Sequence, residues 1–374
     1  MAAAIAAALL SVPAAAQKVE YVIPACPEVT VATMLHDLVE GGPDHNTPLD
    51  LWQAPSSLAV DYFDQGFEDL VDGQLEAAHM GFYIAGLDIC LAQSSGASAA
   101  DTYVIYQTGA LTSTAQYRNH GVPVLVYKPS VTSQVGSNTS RVILSIPHAK
   151  SEAHLADELT AVAMNVSQDT LGRRAVRAAV VSTVHRCHHD DALTGPYVGG
   201  VDTTGCNGVM RVSDDAHNPD SWFQVMHSTL RTHFWNDQVA QIHGAGDDFG
   251  GISVSNGSGD QYLNAAQDTG HAVVRWYDEL TQLAGSPANA EFTICHQYTA
   301  IPNHARPTGY FATQNRRCGT NSATRGEDPR LADDEASSSR QFHFVHLEID
   351  SDLKDSGPER DMFVLSLGRL INTQ

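Results

Sequence analysis

Residues 142–152 decide the fold; they read Val142-Ile143-Leu144-Ser145-Ile146-Pro147-His148-Ala149-Lys150-Ser151-Glu152. The first five residues are a short, β-branched apolar run, which is typical of a buried strand. A polar turn follows, and Ser151 is suited to cap the start of a helix. A buried strand that leads into a helix through a polar turn predicts an α/β fold, with helices on both faces of a sheet.

The same pattern recurs after residue 100. The predicted strands are Tyr103–Tyr106, Val122–Tyr127, Val142–Ile146, Ala178–Val184, Val239–Ile242, Phe292–Ile294 and Phe342–Ile349. Longer amphipathic stretches lie between several of them and predict helices: Glu152–Met164, Ser221–His233, Thr269–Leu283 and Arg360–Ile371. We therefore predict a three-layer α/β/α domain over residues 101–374, with a mixed, mostly parallel central sheet.

The first hundred residues have a different character. Residues 1–16 carry no charged side chain and end in three alanines, which predicts a signal peptide and export. Residues 17–100 are predicted to be a mainly helical N-terminal segment, because Val31–Val39 and Leu58–Leu75 have apolar spacing near 3.6. No other apolar run is long enough to cross a bilayer, so we expect no membrane insertion.

Composition restricts the partners. The formal net charge is −22, with 43 acidic and 21 basic side chains. Binding to nucleic acid requires Lys and Arg side chains that neutralise phosphates, so we expect no nucleic-acid partner. The six cysteines support a secreted or periplasmic location, because none forms a C-x-x-C pair and their number is even. Proximity favours the pairs Cys26–Cys90, Cys187–Cys206 and Cys295–Cys318 among fifteen possible connectivities.

Polar residues cluster where the predicted strands end, which is where open α/β sheets bind ligands. His148 and Glu152 stand at the first such turn, and His243 follows a strand further along. Two histidines and a carboxylate are a common ligand set for catalytic zinc, so we predict that these three residues bind Zn. Glu348 is the candidate general base, and Arg186 could hold a substrate carboxylate or stabilise an oxyanion.

In this order, the clusters resemble the zinc carboxypeptidase and N-formylglutamate amidohydrolase superfamily, which has a phosphorylase/hydrolase-like α/β/α fold. The segment Phe344–Asp352 is similar to the one that carries the carboxypeptidases' catalytic Glu. The resemblance covers roughly residues 140–374. It implies that His148, Glu152 and His243 bind zinc and that Glu348 is the base.

The resemblance also implies that Arg186 and Asn218 hold the substrate. Carboxypeptidases have His-x-x-Glu where this chain has one more residue between His148 and Glu152, so His154 or Asp157 are alternatives for the carboxylate ligand. Asp215 and His217 are predicted to orient the zinc-bound imidazoles from behind.

Together these features predict an exported zinc-dependent hydrolase that uses metal-activated water to cleave an amide or peptide bond next to a carboxylate. The substrate would be a small molecule or peptide with a carboxylate. Two alternatives remain: a non-catalytic exported binding protein that keeps the fold, or a metal-dependent esterase or phosphodiesterase.

Overall fold

The structure is a computed structural model of the chain. It describes residues 21–27, 30–44, 52–92, 102–111, 120–129, 142–150, 176–189, 191–192, 206, 211–216, 218–234, 237–244, 251–255, 293–296 and 344–349.

The described residues form one mixed, nine-stranded sheet. Its strands are β1 (Leu87–Ala92), β2 (Thr102–Gln107), β3 (Val124–Tyr127), β4 (Val142–Ile146), β5 (Val176–Val181), β6 (Gln238–Gly244), β7 (Gly251–Ser255), β8 (Thr293–His296) and β9 (Phe344–Ile349). Their order across the sheet is β1-β2-β3-β5-β4-β6-β9-β7-β8. The α/β class predicted from the sequence is therefore confirmed.

Parallel pairing is concentrated in the centre of the sheet. The adjacent strands β5, β4, β6 and β9 all run in one direction, and β7 and β8 form a further parallel pair. The pairs β1–β2, β2–β3, β3–β5 and β7–β9 are antiparallel. Four of the eight pairings among the described strands are thus parallel, fewer than the predicted majority, because β1, β2 and β3 follow one another as an antiparallel meander.

Four helices lie within the described residues: α1 (Val31–Glu40), α2 (Ser57–Val71), α3 (Leu75–Ile84) and α4 (Trp222–His233). Hydroxyl side chains cap three of them, since Thr30, Ser56 and Ser221 each accept a hydrogen bond from the first turn of α1, α2 and α4. The predicted helix Leu58–Leu75 is interrupted at Gly73, whose φ of 75° is left-handed and ends a helix at little cost.

An aromatic core joins α2, α3 and α4 to one face of the sheet. Phe63 of α2 contacts Phe82 of α3 and Trp222 of α4 at ring-centroid distances of 5.7 and 5.8 Å. Phe67 contacts Tyr127 of β3 at 5.2 Å. Each buried phenylalanine contributes about 2 kcal/mol through the area removed from water. Because these helices include part of residues 17–100, the N-terminal segment shares its core with the sheet.

The helix α1 covers the opposite face. Ile89 of β1 belongs to the aromatic core, and the side chain of Cys90 points to the other side because side chains alternate along a strand. The sulfur of Cys90 lies 3.9 Å from that of Met34 in α1. The described residues therefore form helix, sheet and helix layers.

Two of the predicted disulfides are present. Cys26 pairs with Cys90, and Cys187 pairs with Cys206, with Cα–Cα distances of 4.8 and 5.1 Å. In the chain-entropy account, loops of these lengths give about 4 and about 3 kcal/mol of stabilisation. The pairing predicted for Cys295 and Cys318 lies outside the described residues.

The seven predicted strands are confirmed to within a few residues, whereas β1 and β7 were not predicted. Ser221–His233 is confirmed as α4, and Val31–Val39 as α1. The predicted signal peptide and the helices Glu152–Met164, Thr269–Leu283 and Arg360–Ile371 lie outside the described residues. Among the described helices, none has the length and apolar character needed to cross a membrane.

Candidate functional site

Two histidines from neighbouring parallel strands meet at the carboxyl end of the central sheet. His148 lies in the turn directly after β4, and His243 is near the end of β6. Their Nδ1 atoms are 3.2 Å apart, and the two rings are nearly perpendicular at 77°. Each residue is 2% exposed. The sequence pattern that singled out these two histidines therefore identified side chains that are in contact.

Asp214 fixes the orientation of His148. Its Oδ1 lies 2.9 Å from His148 Nε2, and the exposed fractions of the two side chains are only 3% and 2%. A carboxylate accepts a hydrogen bond, so this contact favours the proton on Nε2 and leaves a lone pair on His148 Nδ1. The sequence pattern assigns this position to Asp215, one residue further on.

Gln241 contacts the other histidine. His243 Nε2 lies 3.1 Å from Gln241 Oε1, and the Gln241 amide donates to Ser145 Oγ at 3.3 Å. An amide oxygen accepts, so the proton of His243 also belongs on Nε2. The lone pairs of the two Nδ1 atoms then face one another.

This arrangement fits a bound zinc ion. Two nitrogen ligands about 2.05 Å from zinc, at a tetrahedral angle, lie about 3.3 Å apart, close to the 3.2 Å found here. Two facing lone pairs repel each other unless a proton or a cation lies between them. The carboxylate behind His148 also matches the carboxylate–histidine arrangement that orients metal-binding imidazoles. His148 and His243 are thus the residues that could hold the metal.

The described residues do not complete a ligand set. Among them, no group of three His, Cys, Asp or Glu side chains could hold a metal ion. Glu152 and His217, the predicted third ligand and orienting residue, lie outside the described residues, as do the alternatives His154 and Asp157. The backbone of Glu348 in β9 is aligned with that of His243 in β6. The predicted roles of these residues stay predictions.

Arg186 lies in the loop after β5, beside the segment that carries Asp214. Its carbonyl oxygen accepts a hydrogen bond from Ser213 Oγ at 2.9 Å. The same loop contacts the segment that follows α1: the His185 amide donates to Pro43 O at 2.9 Å. A Cβ on Gly42 would lie 1.7 Å from Thr183 O, so only glycine permits this approach. The structure thus positions the Arg186 loop near the site, and its predicted contact with substrate stays a prediction.

Asn218 has a local structural role in the loop that precedes α4. Its side-chain amide donates to Val212 O at 2.7 Å, and its Oδ1 accepts from the Asp220 amide at 3.0 Å. Both polar groups of the side chain therefore bind the backbone of the loop that positions Asp214. Its predicted role in holding substrate stays a prediction, and these contacts give it no support.

Asp215 is a buried carboxyl group beside the two histidines, and its pKa is raised. It is 1% exposed, and neither carboxyl oxygen has a hydrogen-bond partner of normal geometry within the described part of the chain. Burial raises the pKa of Asp215 to about 8; Ser182 lowers it in part, while the adjacent Asp214 raises it further. At neutral pH Asp215 is thus largely protonated.

Sequence reasoning missed Gln241 and Ser145 and misplaced one aspartate. A polar residue stands in each of the two apolar runs, at Ser145 of β4 and Gln241 of β6, and these positions are aligned in the sheet. Polar side chains inside a continuously apolar strand are the pattern that could have identified them, because a buried polar group requires a partner. For neighbouring aspartates, the choice depends on the turn geometry, which the sequence does not show.

Comparison with known proteins adds only remote likenesses. No family model matches this chain, and no curated protein matches it significantly. The structure is similar to that of succinylglutamate desuccinalase from Vibrio parahaemolyticus, with 9% identity and a TM-score of 0.33 over 86% of this chain and 84% of that chain. It is also similar to LapA aminopeptidase of Legionella pneumophila, with 8% identity and a TM-score of 0.27 over 91% and 69% of the two chains. These are remote resemblances of fold, and they assign no activity to this chain.

Proposed function

We propose that the protein is an exported, zinc-dependent hydrolase that cleaves an amide or peptide bond next to a carboxylate. The observation that carries the proposal is the 3.2 Å approach of His148 Nδ1 and His243 Nδ1 at the carboxyl end of the central parallel strands. Ligands and substrates of open α/β sheets bind at this end of the strands.

The ligand set of the proposal is His148, His243 and the predicted Glu152. Zinc bound there would supply a Lewis acid that activates water and polarises a carbonyl group. Asp214 keeps His148 in the tautomer that presents Nδ1, and it places a negative charge behind the ligand, which raises the basicity of the imidazole.

Two further residues have assigned roles. Glu348 accepts a proton from the attacking water; its alignment with His243 in the β6–β9 pair supports this assignment. Arg186 binds the substrate carboxylate, because a guanidinium matches a carboxylate with two parallel hydrogen bonds. In support, its loop follows the strand next to β4 and contacts the segment of Asp214.

Export accounts for the cysteines. Two disulfide pairs are within bonding distance among the described residues, and disulfides persist in oxidising compartments. The charge-free residues 1–16 would direct the chain there. Mass spectrometry of the mature protein from its native host tests this part: we expect a chain without residues 1–16 that carries intact disulfides.

The activity is tested with matched substrates. Purified protein is incubated with N-acyl amino acids and short peptides, each with a free carboxylate or as its amide. We expect hydrolysis of the free-carboxylate members only, with activity removed by a chelator and restored by zinc. His243→Ala should lower kcat/KM by about a thousandfold or more, whereas His79→Ala on α3 should leave it unchanged.

The same assay separates the alternatives. Saturable binding of a carboxylate ligand without turnover, with zinc present, would indicate the non-catalytic binding protein. Turnover of simple esters or phosphodiesters, with all amides untouched, would indicate the esterase or phosphodiesterase. Amide hydrolysis that survives both the chelator and His243→Ala contradicts the proposal.

A further inference from the structure

Gln241 is a polar side chain buried in the central sheet. It lies two positions before His243 in β6, so both side chains are on the same face of the strand. It is 0% exposed, and its strand is otherwise largely apolar. A buried amide without partners would cost free energy, and an apolar side chain would avoid that cost. Its partners therefore indicate what it does, and they include His243 and Ser145.

We propose that Gln241 is a positioning residue, which holds His243 in the Nε2-protonated tautomer and so keeps the Nδ1 lone pair directed at the metal position. The inference about the metal rests on the proposed function, while the inference about the tautomer does not. Gln241 touches neither substrate nor metal; it acts through the ring of His243.

Ser145 binds the end of the Gln241 amide that faces away from His243. The two residues are aligned in the β4–β6 pair, and the amide nitrogen of Gln241 donates to Ser145 Oγ at 3.3 Å. With its nitrogen on this side, the amide turns its oxygen to His243 Nε2 at 3.1 Å. The strand register thus connects a serine in β4 to the protonation state of a histidine in β6.

The reversed amide defines the competing state. If its nitrogen faced His243, that nitrogen would donate to Nε2, and the histidine proton would move to Nδ1. His243 Nδ1 would then donate to His148 Nδ1 across the 3.2 Å gap. His243 Nδ1 would then carry the proton and the lone pair of His148 Nδ1 would accept it, so neither nitrogen could bind a metal. The orientation of one amide therefore decides whether the two Nδ1 atoms can bind a metal or are joined by a hydrogen bond.

The tautomer is measured directly in the metal-free protein. Long-range ¹H–¹⁵N correlation spectra of uniformly ¹⁵N-labelled protein distinguish a protonated Nε2 from a protonated Nδ1. We expect His243 of the wild type to be protonated on Nε2, and Gln241→Leu to shift it toward protonated Nδ1. Gln241→Glu should keep the wild-type tautomer, because a carboxylate also accepts from Nε2. A wild-type His243 protonated on Nδ1 overturns the inference.

Zinc affinity gives the second readout, measured by competition with a chromophoric chelator. Loss of a residue that orients a metal ligand typically weakens binding 10–100-fold, and we expect a loss of about that size for Gln241→Leu. Gln241→Glu should restore affinity to within about threefold of the wild type, as expected when the hydrogen bond is kept. The matched control is Gln107→Leu. Gln107 is another buried glutamine; it ends β2, and its side-chain oxygen accepts a hydrogen bond from the His120 amide. This control should bind zinc like the wild type.

The outcomes separate this inference from the proposed function. Wild-type affinity in a folded Gln241→Leu overturns the positioning role and leaves the zinc site intact. A shifted tautomer in Gln241→Leu, together with a wild type that binds no zinc, supports the positioning role and contradicts the proposed function. Should Gln241→Leu fail to fold, Ser145→Ala replaces it; the loss of the hydrogen bond between Ser145 and Gln241 should weaken zinc binding about three- to tenfold and partly shift the tautomer.

Discussion

The two ends of the central parallel strands differ in how their buried polar and charged side chains are paired. At the amino end, Arg177 of β5 donates to Asp237, which directly precedes β6. Arg231 of α4 donates to the Asp237 carbonyl at 2.8 Å, and the Arg177 guanidinium lies 4.2 Å from the centre of the Phe234 ring. Arg177 thus has both an opposite charge and an aromatic face beside it, and Arg231 binds a backbone carbonyl oxygen.

The carboxyl end is arranged differently. The Nδ1 atoms of His148 and His243 face each other, while the Nε2 atoms, which carry the ring protons, contact Asp214 and Gln241. Asp215 is buried without a hydrogen bond of normal geometry to any described residue. A buried carboxyl group normally has a hydrogen bond, so Asp215 makes this end of the sheet a candidate for function. We therefore expect the amino end of these strands to contribute stability and the carboxyl end to carry the proposed binding site.

The largest effect is expected at the amino end. Arg177→Met leaves Asp237 buried without its cation, which should cost about 3–5 kcal/mol of the free energy of unfolding. Urea denaturation measures it. The matched control is Glu40→Gln, because Glu40 is 60% exposed and its pair with Lys150 should contribute less than about 1 kcal/mol. Zinc affinity should be unchanged in both variants; a loss of zinc binding in Arg177→Met would remove the distinction between the two ends.

A smaller, pH-dependent effect is expected for Asp215. Because burial raises its pKa from 3.8 to about 8, the folded protein keeps the proton that the unfolded chain releases above pH 4. Its contribution to stability is therefore complete below pH 4 and is lost as the pH rises to about 8. Asp215→Asn removes this dependence, so its stability relative to the wild type should rise by about 3 kcal/mol between pH 5 and pH 7.

Denaturation curves at a series of pH values test this prediction. Asp220→Asn serves as the control, since Asp220 is not buried; its difference from the wild type should stay small across the same range. If the free energies of unfolding of Asp215→Asn and the wild type differ by the same amount at every pH, Asp215 is ionised in the folded protein.

The smallest effect is expected for Asp214→Asn. The variant keeps an acceptor for His148 Nε2 but loses the charge, so zinc affinity should fall about 10–100-fold while the fold is retained. Isothermal titration with zinc measures it. If affinity is unchanged, Asp214 only packs against His148, and the contrast between the two ends of the sheet is weaker than proposed.

The sequence was sufficient for the class of fold and for part of the site. Continuous apolar runs predicted the buried strands β4 and β6, and the histidines that follow or end them proved to be in contact. These features depend on local pattern and on the general rule that carboxyl ends of parallel strands meet at one edge. The Cys26–Cys90 pair was also predicted, because these two cysteines remain once the four others are paired with their neighbours in the sequence.

Other features depend on how distant segments meet. β1 was not predicted, because the composition of residues 17–100 is dominated by helical patterns and strand pairing with β2 decides its state. The choice of Asp214 over Asp215 is set by a turn between Arg211 and Asn218. The contact between Gln241 and Ser145 depends on the register of β4 and β6, which the sequence does not show.

Zinc binding at the two histidines is the decisive property of the proposed site. The full chain, loaded with zinc and dialysed, is analysed for metal content and by X-ray absorption at the zinc edge. We expect one zinc per chain with two imidazole ligands in the wild type, and loss of that zinc in His243→Ala with the fold retained. A wild type that binds no stoichiometric zinc, or a zinc site that keeps two imidazoles in His243→Ala, would contradict the proposal.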